Sequence, residues 1–147
     1  MSTLERALQI AAAAHAGQID KAGQPYILHP LRVMLRVQGE HERIAAVLHD
    51  VVEDSSVTLA QLIAEGFPPV VIDAVQALTK LPGESRREAA ARAAENAIAL
   101  TVKLADNSEN MDVSRIAQPT AKDMARLEEY KIVRTLLLAA QAGAHNE

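Results

Sequence analysis

The segment Ile44–Asp54 follows a helical period with two opposed arcs, and this pattern restricts the chain more than any other. At 100° per residue, Ile44, Val47, Leu48, Val51 and Val52 fall on one side, and His49, Asp50, Glu53 and Asp54 on the other. The apolar arc needs a core to cover it. The other arc gathers an imidazole and three carboxylates, so it is either a solvated surface or the floor of a metal site.

The rest of the chain is built for helices. Aromatic residues are 2% of 147, with no Trp, while alanine and leucine supply much of the 49% hydrophobic content. Such a chain favours close helix packing over sheets. The net charge of −4 and the lack of a basic stripe argue against a nucleic-acid partner. Without Cys there are no disulfides or thiolate sites, so any metal must be held by His and carboxylates. No signal-like or membrane-spanning apolar run is present. The expectation is a soluble cytoplasmic protein, with no membrane or nucleic-acid partner, forming one all-α domain over residues 1–147.

Taken in order, Ser2 and Glu5 predict a capping box for a first helix ending near Ala14, with Leu4, Ala7, Leu8 and Ala11 inward. Gly17 to Tyr26 reads as a loop. Pro30 predicts the opening of a second helix, reaching about Val37, with His29 at its mouth. A third helix is expected from about Glu40 to Val52. Thr58 and Gln61 predict a capping box for a short helix to about Glu65. Further helices are expected over Val70–Thr79, Arg86–Ala94, Ala97 to about Met111, and Thr120 to about Ala142. Val71, Ala74, Val75 and Leu78 should face inward in the first of these, and Leu127, Ile132, Leu136 and Leu137 in the last.

Three features favour the metal reading of the His49–Asp50 face. His29 is held by a following Pro. Asp106 closes the apolar run Val102–Ala105, near the unfavourable end of a helix dipole, where a cation would compensate it. Glu53 and Asp54 repeat the acidic theme one turn on. Two imidazoles and two carboxylates suit manganese, and iron or zinc also fit. Glu53 and Asp54 would then orient or deprotonate water. Lys21, in a glycine-flanked loop, is placed to meet phosphate. Asn110 shares a face with Asp106, and Arg126 and Tyr130 lie one turn apart. Each of these also has an ordinary surface reading.

Several blocks occur in order: Ala14-His15-Ala16-Gly17-Gln18, Gly23-Gln24-Pro25-Tyr26-Ile27-Leu28-His29-Pro30-Leu31, Leu48-His49-Asp50-Val51-Val52-Glu53-Asp54, Leu78-Thr79-Lys80 and Val102-Lys103-Leu104-Ala105-Asp106. Together they resemble the HD hydrolase domain of the RelA/SpoT family over about residues 5–137. The resemblance implies a compact HD-domain helical bundle that removes the 3′-pyrophosphate of ppGpp with manganese. By motif, His29, His49, Asp50 and Asp106 would be metal ligands, and Glu53 and Asp54 the catalytic pair. Lys21, Asn110, Arg126 and Tyr130 would contact the nucleotide. The length suggests the small stand-alone hydrolases, which lack a synthetase domain. Alternatives are a phosphohydrolase for a less charged nucleotide and a non-catalytic nucleotide-binding module. The chain departs from the family pattern at Asp20, Glu109 and Asp112, where an acidic rim is expected to repel a highly charged nucleotide.

Overall fold

The computed structural model describes residues 2–145. Nine helices run through this part of the chain: α1 (Leu4–Ala14), α2 (Leu28–Leu35), α3 (Glu40–Leu48), α4 (Val51–Asp54), α5 (Leu59–Ala64), α6 (Pro69–Leu78), α7 (Arg86–Ala93), α8 (Ala97–Met111) and α9 (Ala121–His145). Extended pairing among the described residues is confined to one isolated bridge, Ile19 with Pro25. The expected all-α class is what the chain adopts. Among the described residues no helix is long and apolar enough to cross a membrane.

The bundle is organised around α3, whose residues Ile44 to Leu48 are all buried. One side of α3 packs Ile44, Val47 and Leu48 against Ala7 and Ala11 of α1, Leu62 of α5 and Val71 and Val75 of α6. Its other side uses Ala45 and Ala46 to meet Val33 of α2, Ala74 of α6 and Val102 of α8. Alanine at these two positions lets α2 and α8 come close to α3. A third cluster, Ala90, Leu100, Val133 and Leu137, joins α7, α8 and α9. Burying a leucine or valine side chain contributes roughly 1.5–3 kcal/mol, so apolar packing dominates here.

Most helix starts follow local chemistry. Thr58 with Gln61 and Ser85 with Glu88 form complete capping boxes, and Asn96 accepts from the Ala99 N–H. The first helix differs from expectation: Thr3, not Ser2, accepts from the Arg6 N–H. Ser2 is used elsewhere, donating its hydroxyl to Glu65 O at 2.8 Å and its N–H to Gly66 O. Helix α2 opens at Leu28 rather than Pro30. Pro30 still lies in the first turn, where its missing N–H is not needed. Gly39, at φ +84°, turns the chain between α2 and α3. In α9, Val133 faces inward beside Leu137, while Ile132 is 45% exposed.

The largest departure is a break between α3 and α4, where a continuous helix to Val52 was expected. In a continuing helix the Ala46 carbonyl would accept the Asp50 N–H. Instead it receives the His49 N–H at 3.5 Å and His49 Nδ1 at 2.5 Å. A side chain thus competes with the backbone for a helical acceptor. Asp50 then takes φ −108°, ψ −1°, in the sparsely populated bridge region.

Leu62 is fully buried and lies outside the site described below. Leu62→Ala should lower unfolding stability by about 2–5 kcal/mol, measured by urea denaturation. A loss below about 1 kcal/mol would contradict the packing described for α5.

Candidate active site

Four side chains meet where α2, the α3–α4 break and α8 converge. The first turn of α2 brings His29, the break brings His49 and Asp50, and the middle of α8 brings Asp106. His29 Nε2 lies 2.7 Å from Asp106 Oδ1. His49 Nε2 lies 3.0 Å from Asp50 Oδ2 and 3.4 Å from Asp106 Oδ1. His29, His49 and Asp106 are all buried, and one donor atom from each falls within 4.8 Å of the others. Asp50 adjoins this trio, and its Oδ2, the atom facing His49 Nε2, also accepts a hydrogen bond from the Tyr26 hydroxyl.

Asp106 does not sit at a helix end. α8 continues to Met111, so the dipole argument does not apply, and the compensation comes from side chains. Besides the two imidazoles, Lys103 Nζ lies 3.4 Å from Asp106 Oδ2, and Asn110 Nδ2 donates to Oδ1 at 3.2 Å. Burial would raise the Asp106 pKa, but Lys103, His29 and His49 outweigh it and hold the carboxyl well below its ordinary range.

The donor set fits a divalent cation. His49 Nδ1 donates to the Ala46 carbonyl, so in the neutral ring Nε2 carries the lone pair. That atom is buried and has no hydrogen-bond partner, yet it faces two carboxylates. A lone pair among anions is unfavourable unless a proton or a cation lies between them. Burial alone would lower the His49 pKa. The charges of Asp50 and Asp106 overcome this and hold it well above its usual value, so a proton takes the cation's place.

Beside this cluster a cleft of about 530 Å³ opens, within the range of small-molecule sites. Glu53 and Asp54 of α4 line it. Burial and then the Asp50 charge push both carboxyls upward. Lys21, Asn110 and Tyr130 also line the cleft. Arg126 is not among its lining residues and pairs with Asp123 at 3.8 Å. Its charge still reaches Lys21, whose pKa is lowered by burial and then by Arg126 and Arg86. Tyr130 takes its cation from another helix: the Arg86 guanidinium lies 5.3 Å from the ring centroid.

Arg86, Lys80, Lys103 and Arg115 all line the cleft, and none was assigned a role from the sequence, although Lys80 and Lys103 fall within the ordered blocks. Only Lys103 carried a local signal, being three residues before Asp106. The others arrive through tertiary contacts. They also correct the expected acidic rim. Asp20 is paired with Arg115 at 3.2 Å and Glu109 with Arg36 at 2.7 Å. Asp112 accepts from the Ser114 N–H and hydroxyl. The acids of this rim are partnered, and Lys21, Lys80, Arg86 and Lys103 also line the cleft.

The HD domain family profile matches residues 7–104, and the chain belongs to that family, on its RelA/SpoT side. It is similar to a guanosine-3′,5′-bis(diphosphate) 3′-pyrophosphohydrolase of Vibrio cholerae, with 32% identity over 99% of this chain and 22% of the relative. A protein of the same name from Haemophilus influenzae is 39% identical over 69% of this chain and 17% of its own length. The chain thus spans about a fifth of the length of these curated relatives. A solved structure described as a metazoan ortholog of SpoT that hydrolyzes ppGpp superposes with a TM-score of 0.78. It is 26% identical, over 95% of this chain and 85% of that one.

A metal needs neutral His49, whereas in the metal-free protein this imidazole stays protonated to higher pH than an ordinary histidine. Uptake of a divalent ion should therefore release protons, and apparent affinity should rise with pH through the raised His49 pKa. Calorimetric titration in buffers of different ionisation enthalpy measures this. Asp106→Ala should abolish binding, and metal retained at full occupancy would contradict the site.

Proposed function

We propose that the protein is a metal-dependent phosphohydrolase of nucleotides, acting in the cytoplasm on guanosine 3′,5′-bis(diphosphate) to release its 3′-pyrophosphate. One observation carries the reading: a buried His29–His49–Asp106 cluster opens onto the same cleft as a free acidic pair and a wall of cations. The names of the similar proteins agree with it.

In this reading His29, His49, Asp50 and Asp106 hold one manganese ion, and iron(II) or zinc also suit the donors. The bound ion supplies Lewis-acid polarisation at phosphorus and acidifies water. The chain's residues do the rest. The Tyr26 hydroxyl donates to Asp50 Oδ2 and orients that carboxylate beside His49. Glu53 and Asp54 stand at the cleft wall, and their raised basicity suits them to take a proton from attacking water. Water adds at the phosphorus bonded to O3′, the P–O3′ bond breaks, pyrophosphate departs and O3′ takes a proton. Lys21, Arg86 and Tyr130 bind phosphate at the cationic wall, supported by the charge of Arg126. Asn110, held by Asp106, faces the nucleoside.

Pyrophosphate release from ppGpp with added manganese tests this directly. Asp50→Ala should remove activity together with metal. Glu53→Gln should keep the metal but slow turnover by about 10²–10⁴-fold. Unchanged turnover in Glu53→Gln would remove it from the mechanism. Arg86→Ala should raise KM with little change in kcat if Arg86 only binds phosphate.

A further inference from the structure

α4 is a single turn of four residues, Val51–Asp54, too short to be stable by itself. Its start is secured, because Val51 is fully buried in the core cluster shared with α1, α3, α5 and α6. Its end is not. Asp54 is exposed and lines the active-site cleft on one side. On the other it lines a second cavity of about 740 Å³, together with Ala13 and Ala14 of α1 and Ser55 and Val57 after α4. Asp54 therefore borders open space on both faces, and packing does little to fix the end of the turn.

One side chain crosses to it. Gln18, in the loop after α1, donates from Nε2 to Asp54 O at 2.9 Å, across 36 positions of sequence, and to Ala14 O at 3.4 Å. Asp54 O is a terminal helical carbonyl without an intrahelical partner. Among the described residues Gln18 is its one hydrogen-bond donor. Gln18 Oε1 accepts from His15 Nδ1 at 2.9 Å, which settles the orientation of the amide: its NH2 meets two carbonyls and its oxygen meets a ring N–H. His15 is buried, and its ring centroid lies 4.9 Å from that of Tyr26. The Tyr26 N–H donates to Gln18 O at 2.9 Å, and the Tyr26 hydroxyl meets Asp50. Gln18 thus ties the residue that orients Asp50 to the end of the turn that carries Asp54. Gln18 does not itself line the active-site cleft.

We propose that Gln18 is a positioning residue: its amide, clamped by His15, holds the Asp54 carboxylate at the wall of the active-site cleft and keeps the turn from relaxing toward the second cavity. The effect on turnover rests on the hydrolase reading above, whereas the brace itself does not.

Two variants share only the loss of the N–H donor. Gln18→Glu keeps an acceptor for His15 and adds a charge. Gln18→Met adds no charge but leaves His15 unpaired. In both, hydrogen exchange of the manganese-loaded protein, followed by mass spectrometry, should quicken about 2- to 10-fold in peptides spanning 51–57, the worth of one hydrogen bond, and stay unchanged in α3 and α8. With ppGpp as substrate, kcat should fall by about 10- to 100-fold, the cost of a displacement near 1 Å, with KM and bound manganese unchanged. In an Asp54→Asn background the same substitutions should cost nothing further, because the carboxylate they displace is already gone. Unchanged exchange in 51–57, exchange that rises throughout the bundle, unchanged kcat, or a full further loss in the Asp54→Asn background overturns the assignment. If wild type itself releases no pyrophosphate, the proposed function fails and exchange alone decides the brace: quickening confined to 51–57 upholds it, and its absence overturns it.

Discussion

A carboxylate buried to 6% exposure where the apolar half of α8 ends is the constraint on which the rest of the structure depends. An isolated buried charge is very costly, so Asp106 can exist at this place in α8 only with cations or donors around it. Each partner comes from a different part of the chain. His29 needs α2 packed against α8, His49 needs α3 to end where it does, and Lys103 and Asn110 come from α8 itself. The close approach of these helices rests on the small side chains Ala45, Ala46 and Ala105. The alanine-rich composition and the buried polar cluster are two sides of one design: small residues bring the backbones near enough for short polar side chains to meet.

The break after α3 follows from the same demand. If α3 ran on to Val52, its Ala46 carbonyl would be occupied by the Asp50 N–H, and the imidazole of His49 would lose the acceptor that orients it. Giving that carbonyl to His49 fixes which ring nitrogen faces the carboxylates. It also swings Asp50 out of the helical path, where Tyr26 meets it. α4 then restarts with Glu53 and Asp54 at the cleft wall rather than in the cluster, which separates metal-binding groups from groups free to move a proton.

Much of this was legible in the sequence where the cause is local. The limits of α8 and the inward set of α6 follow from hydrophobic period, and the box at Thr58 from side chains within three residues, whereas the equally local box at Ser85 was not read. His29, His49 and Asp106 could be grouped because each interrupts or ends an apolar pattern. The break at His49 was hidden, because a helical period says nothing about which donor a carbonyl takes. The cap at Thr3 was hidden because Ser2 has an equally good local spacing and is decided by a contact with Glu65, 63 residues away. Arg86 and Arg115 look like ordinary surface charges in sequence. They become part of the site only through packing of α7 on α9 and of one loop on another.

Reading charge along the chain also misjudged the pocket's polarity. Asp20, Glu109 and Asp112 sum to an acidic rim on paper, but Coulomb attraction acts through space. Two of the three are neutralised by arginines 95 and 73 positions away, at 3.2 and 2.7 Å. What remains is a cleft in which Asp20 and Glu109 are paired while Lys21, Lys80, Arg86 and Lys103 also line it. In such a cleft, replacing Asp20 by a neutral residue should strengthen the attraction for anions, because Arg115 would be released unpaired into the site.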